Sequence, residues 1–136
     1  MFVLDCSVTM AWCFEDESNA YAEKVLEHLE KEAAYVPPLW FLEVSNVILI
    51  GEKSKRLSRF QSNQFLAILS ELNIKCEDPL NTHIFTSTIE LARTYQLTSY
   101  DAIYLDLALK RKLPLATLDQ SLRKASKKAG LSLLFG

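Results

Sequence analysis

The stretch from Thr98 to Leu122, TSYDAIYLDLALKRKLPLATLDQSL, limits the fold more than any other part of the chain. Thr98 and Ser99 are good helix N-caps, and an acid within the next few positions suits the positive end of a helix. On the helix this predicts, Asp101, Tyr104, Leu105, Ala108 and Leu109 share one face. Asp101 is the single charge on that face, whereas Asp106 points elsewhere and is expected in solvent. Pro114 cannot continue the helix, and residues 115–118 read as a short apolar strand. Asp119 then falls at the carboxyl end of a strand and the start of a helix, where αβα chains place functional groups.

The rest of the chain repeats this alternation. Phe2-Val3-Leu4 reads as a buried strand ended by Asp5, and a short apolar helix follows from Ser7 through Trp12. Residues 15–18 form an acidic loop or cap. A helix over 18–31 carries Ala22, Val25, Leu26 and Leu29 as its apolar stripe, leaving His28 at the surface. Ala34-Tyr35-Val36 is a second strand, stopped by Pro37 and Pro38. The next helix, to about residue 52, puts Trp40, Glu43, Val44, Val47, Ile48 and Gly51 on one face, and Glu43 is the exception among them. A carboxylate in such a stripe costs several kcal/mol unless it is paired, protonated or bound to a cation. A buried ion pair with an Arg or Lys and a functional site both answer that cost.

A basic connector (Lys53, Lys55, Arg56, Arg59) precedes a helix capped by Ser58 and carrying Phe65, Ile68, Leu69 and Leu72. Ile74-Lys75-Cys76 is a third strand, and Asp78-Pro79 turns out of it. A helix over 81–95 carries Ile84, Phe85, Thr88, Ala92 and Tyr95. After Asp119 comes a short basic helix (Arg123, Lys124, Lys127, Lys128), ended by Gly130, and then an apolar strand over 131–135. The pattern predicts one domain over 1–136, a three-layer α/β/α sandwich around a mostly parallel sheet.

Composition narrows the function. With 136 residues and 49% hydrophobic content, the chain can bury a real core. A net charge of −2 and a pI near 5.7 do not advertise nucleic-acid binding, although a local basic patch can still carry it. Three cysteines without C-x-x-C spacing read as reduced thiols of a cytoplasmic protein. His28 and His83 lack zinc-ligand spacing. No signal peptide or membrane span is expected.

Two acids thus follow strands (Asp5, Asp119), and two interrupt core-facing helix stripes (Glu43, Asp101). A parallel sheet brings its strand ends to one edge, so these carboxylates are expected in one cleft. They cannot all ionise there without a counter-charge. Oxygen ligands of this kind suit Mg²⁺ or Mn²⁺ better than zinc. Such an ion can activate water and neutralise charge on a phosphodiester. The chain offers no G-x-S-x-G, Walker loop, G-x-G-x-x-G or Cys–His pair.

Four motifs, VLDCSV, WFLEVSNV, LTSYDAIYLDLA and PLATLDQSL, resemble in order and spacing those of PIN-domain ribonucleases, specifically the short VapC-like toxins of type II toxin–antitoxin pairs. The resemblance implies that Asp5, Glu43, Asp101 and Asp119 form a catalytic acidic tetrad, with Asp5, Asp101 and Asp119 as metal ligands. It implies supporting roles for Ser7, Asn46 and Thr117, Mg²⁺ or Mn²⁺ as cofactor, and RNA as substrate. It also implies a cognate antitoxin protein and a homodimer. Lys53, Lys55, Arg56, Arg59, Arg123 and Lys124 are the candidate RNA contacts, though basic runs of this kind also serve as plain solvated helix faces.

Two rival enzyme classes fit poorly. A haloacid-dehalogenase-like phosphatase wants a second Asp where Ser7 stands, and a receiver domain wants a late Lys where Asp119 stands. A non-catalytic PIN-like module that binds RNA or a partner remains the alternative, and absence of any Mg²⁺ response would favour it.

Overall fold

The computed structural model describes residues 1–76 and 82–136. Strands β1 (Phe2–Leu4), β2 (Ala34–Val36), β3 (Ile74–Cys76) and β4 (Leu115–Ala116) pair in the order β3-β2-β1-β4, all parallel. Phe2 faces Ala34 across one ladder, and Leu4 faces Ala116 across the other. β1 is fully buried because the sheet is covered on both faces, which is why its sequence is apolar throughout rather than alternating.

Helices α1 (Cys6–Cys13), α2 (Ala20–His28), α3 (Pro38–Lys53), α4 (Arg59–Glu71), α5 (Ser87–Tyr95), α6 (Ser99–Arg111) and α7 (Gln120–Lys128) flank that sheet, giving a three-layer α/β/α sandwich. Local chemistry sets their starts. Asn19 accepts from the Ala22 amide, Thr98 from Asp101 and Asp119 from Leu122, while Ser58 and Gln61 form a reciprocal capping box. Pro38 occupies the first turn of α3, where its missing N–H costs nothing. Gly130, at φ +76°, turns the chain after α7.

One residue, Asp5, separates β1 from α1, and one, Pro37, separates β2 from α3. α1, α3 and α7 therefore all leave from the carboxyl edge of the sheet. α6 runs the opposite way to β4, which it feeds, so its N-terminus reaches the same edge.

Several expectations need correction. The segment 131–135 forms a single bridge, Leu115 to Leu133, rather than a strand. Leu115 exchanges hydrogen bonds with Ser132 and Leu134, and Phe135 at φ 57° then ends the extended backbone. The helix expected over 81–95 is a 3₁₀ turn (Thr82–Phe85) and α5, broken at Thr86. The turn at Asp78-Pro79 and the start at Asn81 lie outside the described residues. His28 is not a plain surface residue: its ring packs 5.7 Å from Phe2 and 5.2 Å from Phe135, and it meets Glu32 at 2.6 Å. No helix among the described residues is long and apolar enough to cross a membrane.

The largest correction concerns Asp106, which is 4% exposed rather than solvated. Every residue of α6 from Ala102 to Ala108 is buried, because α5 covers the side turned away from the sheet. One oxygen of Asp106 accepts from Thr88 (2.7 Å) and Ser87 (3.1 Å) at the start of α5 and from Lys110 (3.3 Å), with the His83 ring at 3.7 Å. This carboxylate fastens α5 to α6. Asp106→Ala strands the buried Thr88 hydroxyl and is expected to cost about 2–3 kcal/mol in urea unfolding. An unchanged midpoint would show that the clamp carries no stability.

Candidate active site

At the carboxyl edge of the sheet the chain gathers acids at helix starts. Asp5 sits between β1 and α1, Asp119 caps α7, Asp101 lies in the first turn of α6, and Glu43 projects from the second turn of α3. Three of the four therefore stand where the positive end of a helix favours an anion. Asp5 is 5% exposed and the other three are half-buried.

A net of hydroxyls fixes Asp5. Ser7 donates to Oδ2 at 2.6 Å and Thr117 donates to the same oxygen at 2.7 Å. Each hydroxyl also accepts from the backbone after β4: Ser7 from the Leu118 amide at 2.9 Å, Thr117 from the Asp119 amide at 3.0 Å. The Arg123 guanidinium donates to the Thr117 carbonyl at 2.6 Å. The ends of β1 and β4 are thereby locked together around a carboxylate.

The acids feel one another. Burial raises the Asp5 carboxyl above its ordinary range and the Asp119 charge adds to that, while Ser7 and Thr117 pull it down. Burial raises Glu43 as well, with the charges of Asp5 and Asp101 adding and the Tyr104 hydrogen bond opposing. Asp101 is pushed from 3.8 to about 6, first by burial and then by the charges of Asp119 and Asp5, against the hydrogen bond with Thr98. Among the described residues none of the four has a Lys, Arg or His within ion-pair distance. Glu43 is thus not the buried ion pair that its position allowed. Its partner is a phenol, Tyr104, which donates to Oε1.

Among the described residues no three His, Cys, Asp or Glu side chains stand close enough to enclose a metal ion as placed. The acids share a field without closing a cage. That donor chemistry, hard carboxylate oxygens rimmed by hydroxyls, still fits Mg²⁺, which retains several waters and takes only one or two carboxylates. Zinc favours imidazole and thiolate ligands, and among the described residues the two histidines meet Glu32 and Asp106 rather than these acids.

The other candidates separate. Ser7 and Thr117 join the acid cluster through their hydrogen bonds to Asp5. Asn46 is exposed, and among the described residues no hydrogen bond joins it to the acids. Arg56 is committed elsewhere, to Asp16 and Glu17 at 3.0 Å and over the Phe14 ring. Arg123 is spent on Thr117 and lies over Tyr21. Lys53, Lys55, Arg59 and Lys124 are exposed. Lys53 lies ten residues beyond Glu43, about 15 Å along α3, whereas α7 starts at the site and brings Lys124 nearer. Tyr104 carried no functional expectation, though its sequence signal was simple: a phenol one turn after Asp101 on the same face.

A family model for the PIN domain matches residues 2–128. The chain belongs to the PIN-domain family. No curated protein matches the sequence, but solved structures share the fold. PAE2754 from Pyrobaculum aerophilum is 24% identical with a TM-score of 0.68, over 91% of this chain and 78% of that one. A toxin–antitoxin complex from Klebsiella pneumoniae is 18% identical at 0.61, over 88% and 87%. FitAcB from Neisseria gonorrhoeae is 19% identical at 0.62, over 98% and 96%. At these identities the likeness is one of PIN-domain architecture.

The raised Asp101 has a consequence for stability. Its folded value, about 6, lies above its ordinary 3.8, so the folded chain holds that proton more tightly than the unfolded chain. The stabilisation is complete below about pH 4 and is lost as the pH rises through 6. In metal-free buffer, Asp101→Asn is expected to match wild type in Tm near pH 4 and to exceed it by a few degrees at pH 7.5. A Tm difference that is flat with pH would remove the shared field from this account.

Proposed function

We propose that this PIN-domain protein is a Mg²⁺- or Mn²⁺-dependent endoribonuclease toxin, held inactive in the cell cytoplasm by a cognate antitoxin. PIN domains are generally nucleases. The observation that carries the reading is the convergence of Asp5, Glu43, Asp101 and Asp119, from four separate segments, into one field with no cation paired to them among the described residues. Uncompensated negative charge of this kind is retained where a cation binds in function.

Asp5 and Asp101 would hold the ion, with Asp119 beside them. A divalent ion in this cleft supplies charge against the developing negative charge of the phosphodiester and acidifies the attacking water. Ser7 and Thr117 keep Asp5 oriented through two donors to one oxygen. Glu43, half-buried and outside that net, would take a proton from the attacking water. Lys124 is the basic side chain best sited to hold the RNA backbone near the acids, and Lys53, Lys55 and Arg59 would extend that track.

The Klebsiella structure, a toxin–antitoxin complex, supports an antitoxin partner. The surface supports protein contacts too: α3 and α4 expose Phe41, Leu42, Leu49, Ile50, Phe60, Leu66 and Ile68. Isolated apolar side chains at a surface are ordinary, but seven large ones on two neighbouring helices suit an interface with a second copy or an antitoxin.

Incubation with total cellular RNA is expected to give Mg²⁺-dependent cleavage that EDTA abolishes. Asp5→Asn and Asp101→Asn should each lower it by about a hundredfold or more, the scale of a lost electrostatic contact in a transition state. Equal cleavage in all samples would remove the metal mechanism, and no Mg²⁺ response by calorimetry would favour a non-catalytic binding module. Sedimentation at micromolar concentration should give a dimer, and a monomer there would remove the homodimer.

A further inference from the structure

Tyr104 is a fully buried phenol on α6, one helical turn after Asp101. Among the described residues its hydroxyl has one hydrogen-bond partner, Oε1 of Glu43 on α3. A buried hydroxyl needs a partner, and a half-buried glutamate facing Asp5 and Asp101 needs a reason to stay there. Three rotatable bonds let Glu43 swing toward solvent, and the neighbouring charges push it that way. The Tyr104 ring cannot swing, because it is packed into the core on every side.

We propose that Tyr104 is the positioning residue of Glu43: its hydroxyl, delivered from the interior of α6, fixes where the Glu43 carboxylate points within the acid cluster. The proposal rests on the nuclease reading and assigns within it a residue that never touches substrate. Burial, then the Asp5 charge and the bond to Glu43, push the Tyr104 phenol far above its ordinary range, so it stays a donor at every working pH. Because Asp101 and Tyr104 share α6, the bond also sets the spacing between Glu43 and Asp101. It ties α3 to α6 beside the contact in which the Trp40 indole donates to Thr9 of α1 at 3.1 Å.

The test is a cycle of Tyr104→Phe, Glu43→Ala and the double variant, in the full chain. Phenylalanine keeps the ring and its packing, and a Tm near wild type confirms that the fold survives. Tyr104→Phe is expected to lower kcat on RNA roughly ten- to hundredfold, the range for a lost hydrogen bond to a charged group, with KM for RNA within about twofold. Glu43→Ala should lower kcat at least as far, and the double variant should match Glu43→Ala, because a residue acting through another adds nothing once that other is gone. A merely structural role would multiply the two losses. Mg²⁺ affinity by calorimetry should stay within about twofold of wild type in Tyr104→Phe, because Glu43 keeps its charge and is not among the residues that would hold the ion. Multiplied losses, or a Tyr104→Phe chain equal to wild type in kcat, would overturn the assignment of Tyr104 alone. A wild-type chain that neither cleaves RNA nor binds Mg²⁺ would overturn the nuclease reading and the assignment with it.

Discussion

The carboxylate of Asp5 lies almost out of water at the point where β1 stops, and two hydroxyls make that position tolerable. Burying an ionised carboxylate without partners costs several kcal/mol. Hydrogen bonds from Ser7 and Thr117 to a charged oxygen return about 1.5–3 kcal/mol each. The two effects are of similar size, and the result is an acid whose pKa is raised but whose geometry is fixed. Because Thr117 follows β4 and Ser7 opens α1, the same contacts join the two strand ends. A site and a piece of topology are therefore one interaction.

Around that centre the fold uses helix starts to hold negative charge. Asp5, Asp119 and Asp101 each occupy the first positions of a helix, where unpaired backbone amides and the helix dipole favour an anion by a few tenths to about 1 kcal/mol. That is enough to keep the acids in place and too little to cancel burial and their mutual repulsion, which together still push Asp101 to about 6. A polypeptide that wanted only stability would have placed a lysine here. The absence of such a partner among the described residues is what separates this cluster from Asp106, where Lys110 and three uncharged or weakly basic donors answer a single carboxylate.

Much of this was legible in the residues, because the signals were local. Three-residue apolar runs ended by an acid or proline became strands, and Ser58, Thr98 and Asp119 capped helices as their chemistry dictates. The four acids stood out because each broke an apolar pattern. What could not be read was anything set by packing between distant elements. Asp106 looked solvated because the helical wheel put it opposite the sheet, and only α5, laid across that side, buries it. Tyr104 looked like core filling, which its ring is; that its hydroxyl meets Glu43 depends on how α3 crosses α6. The segment 131–135 had a strand's composition, but a strand needs a ladder, and β4 offers it a single residue.

The two faces of α6 show how one buried helix can serve two ends. A helix sealed from water over seven successive residues gains about 1.5–3 kcal/mol from each large apolar side chain it buries, so Ile103, Leu105 and Leu107 are enough to hold it against the sheet and α5. That surplus lets the helix carry polar groups at defined heights. Asp106, toward α5, has its donors supplied and is a fastener. Asp101 and Tyr104, toward the sheet edge, face acids in place of bases. Rotating α6 to relieve the repulsion on one side would pull Asp106 away from Thr88 and Ser87 on the other. The satisfied and the repelled carboxylates thus lie on opposite faces of one helix, and relieving the repulsion by rotation would cost the hydrogen bonds of Asp106.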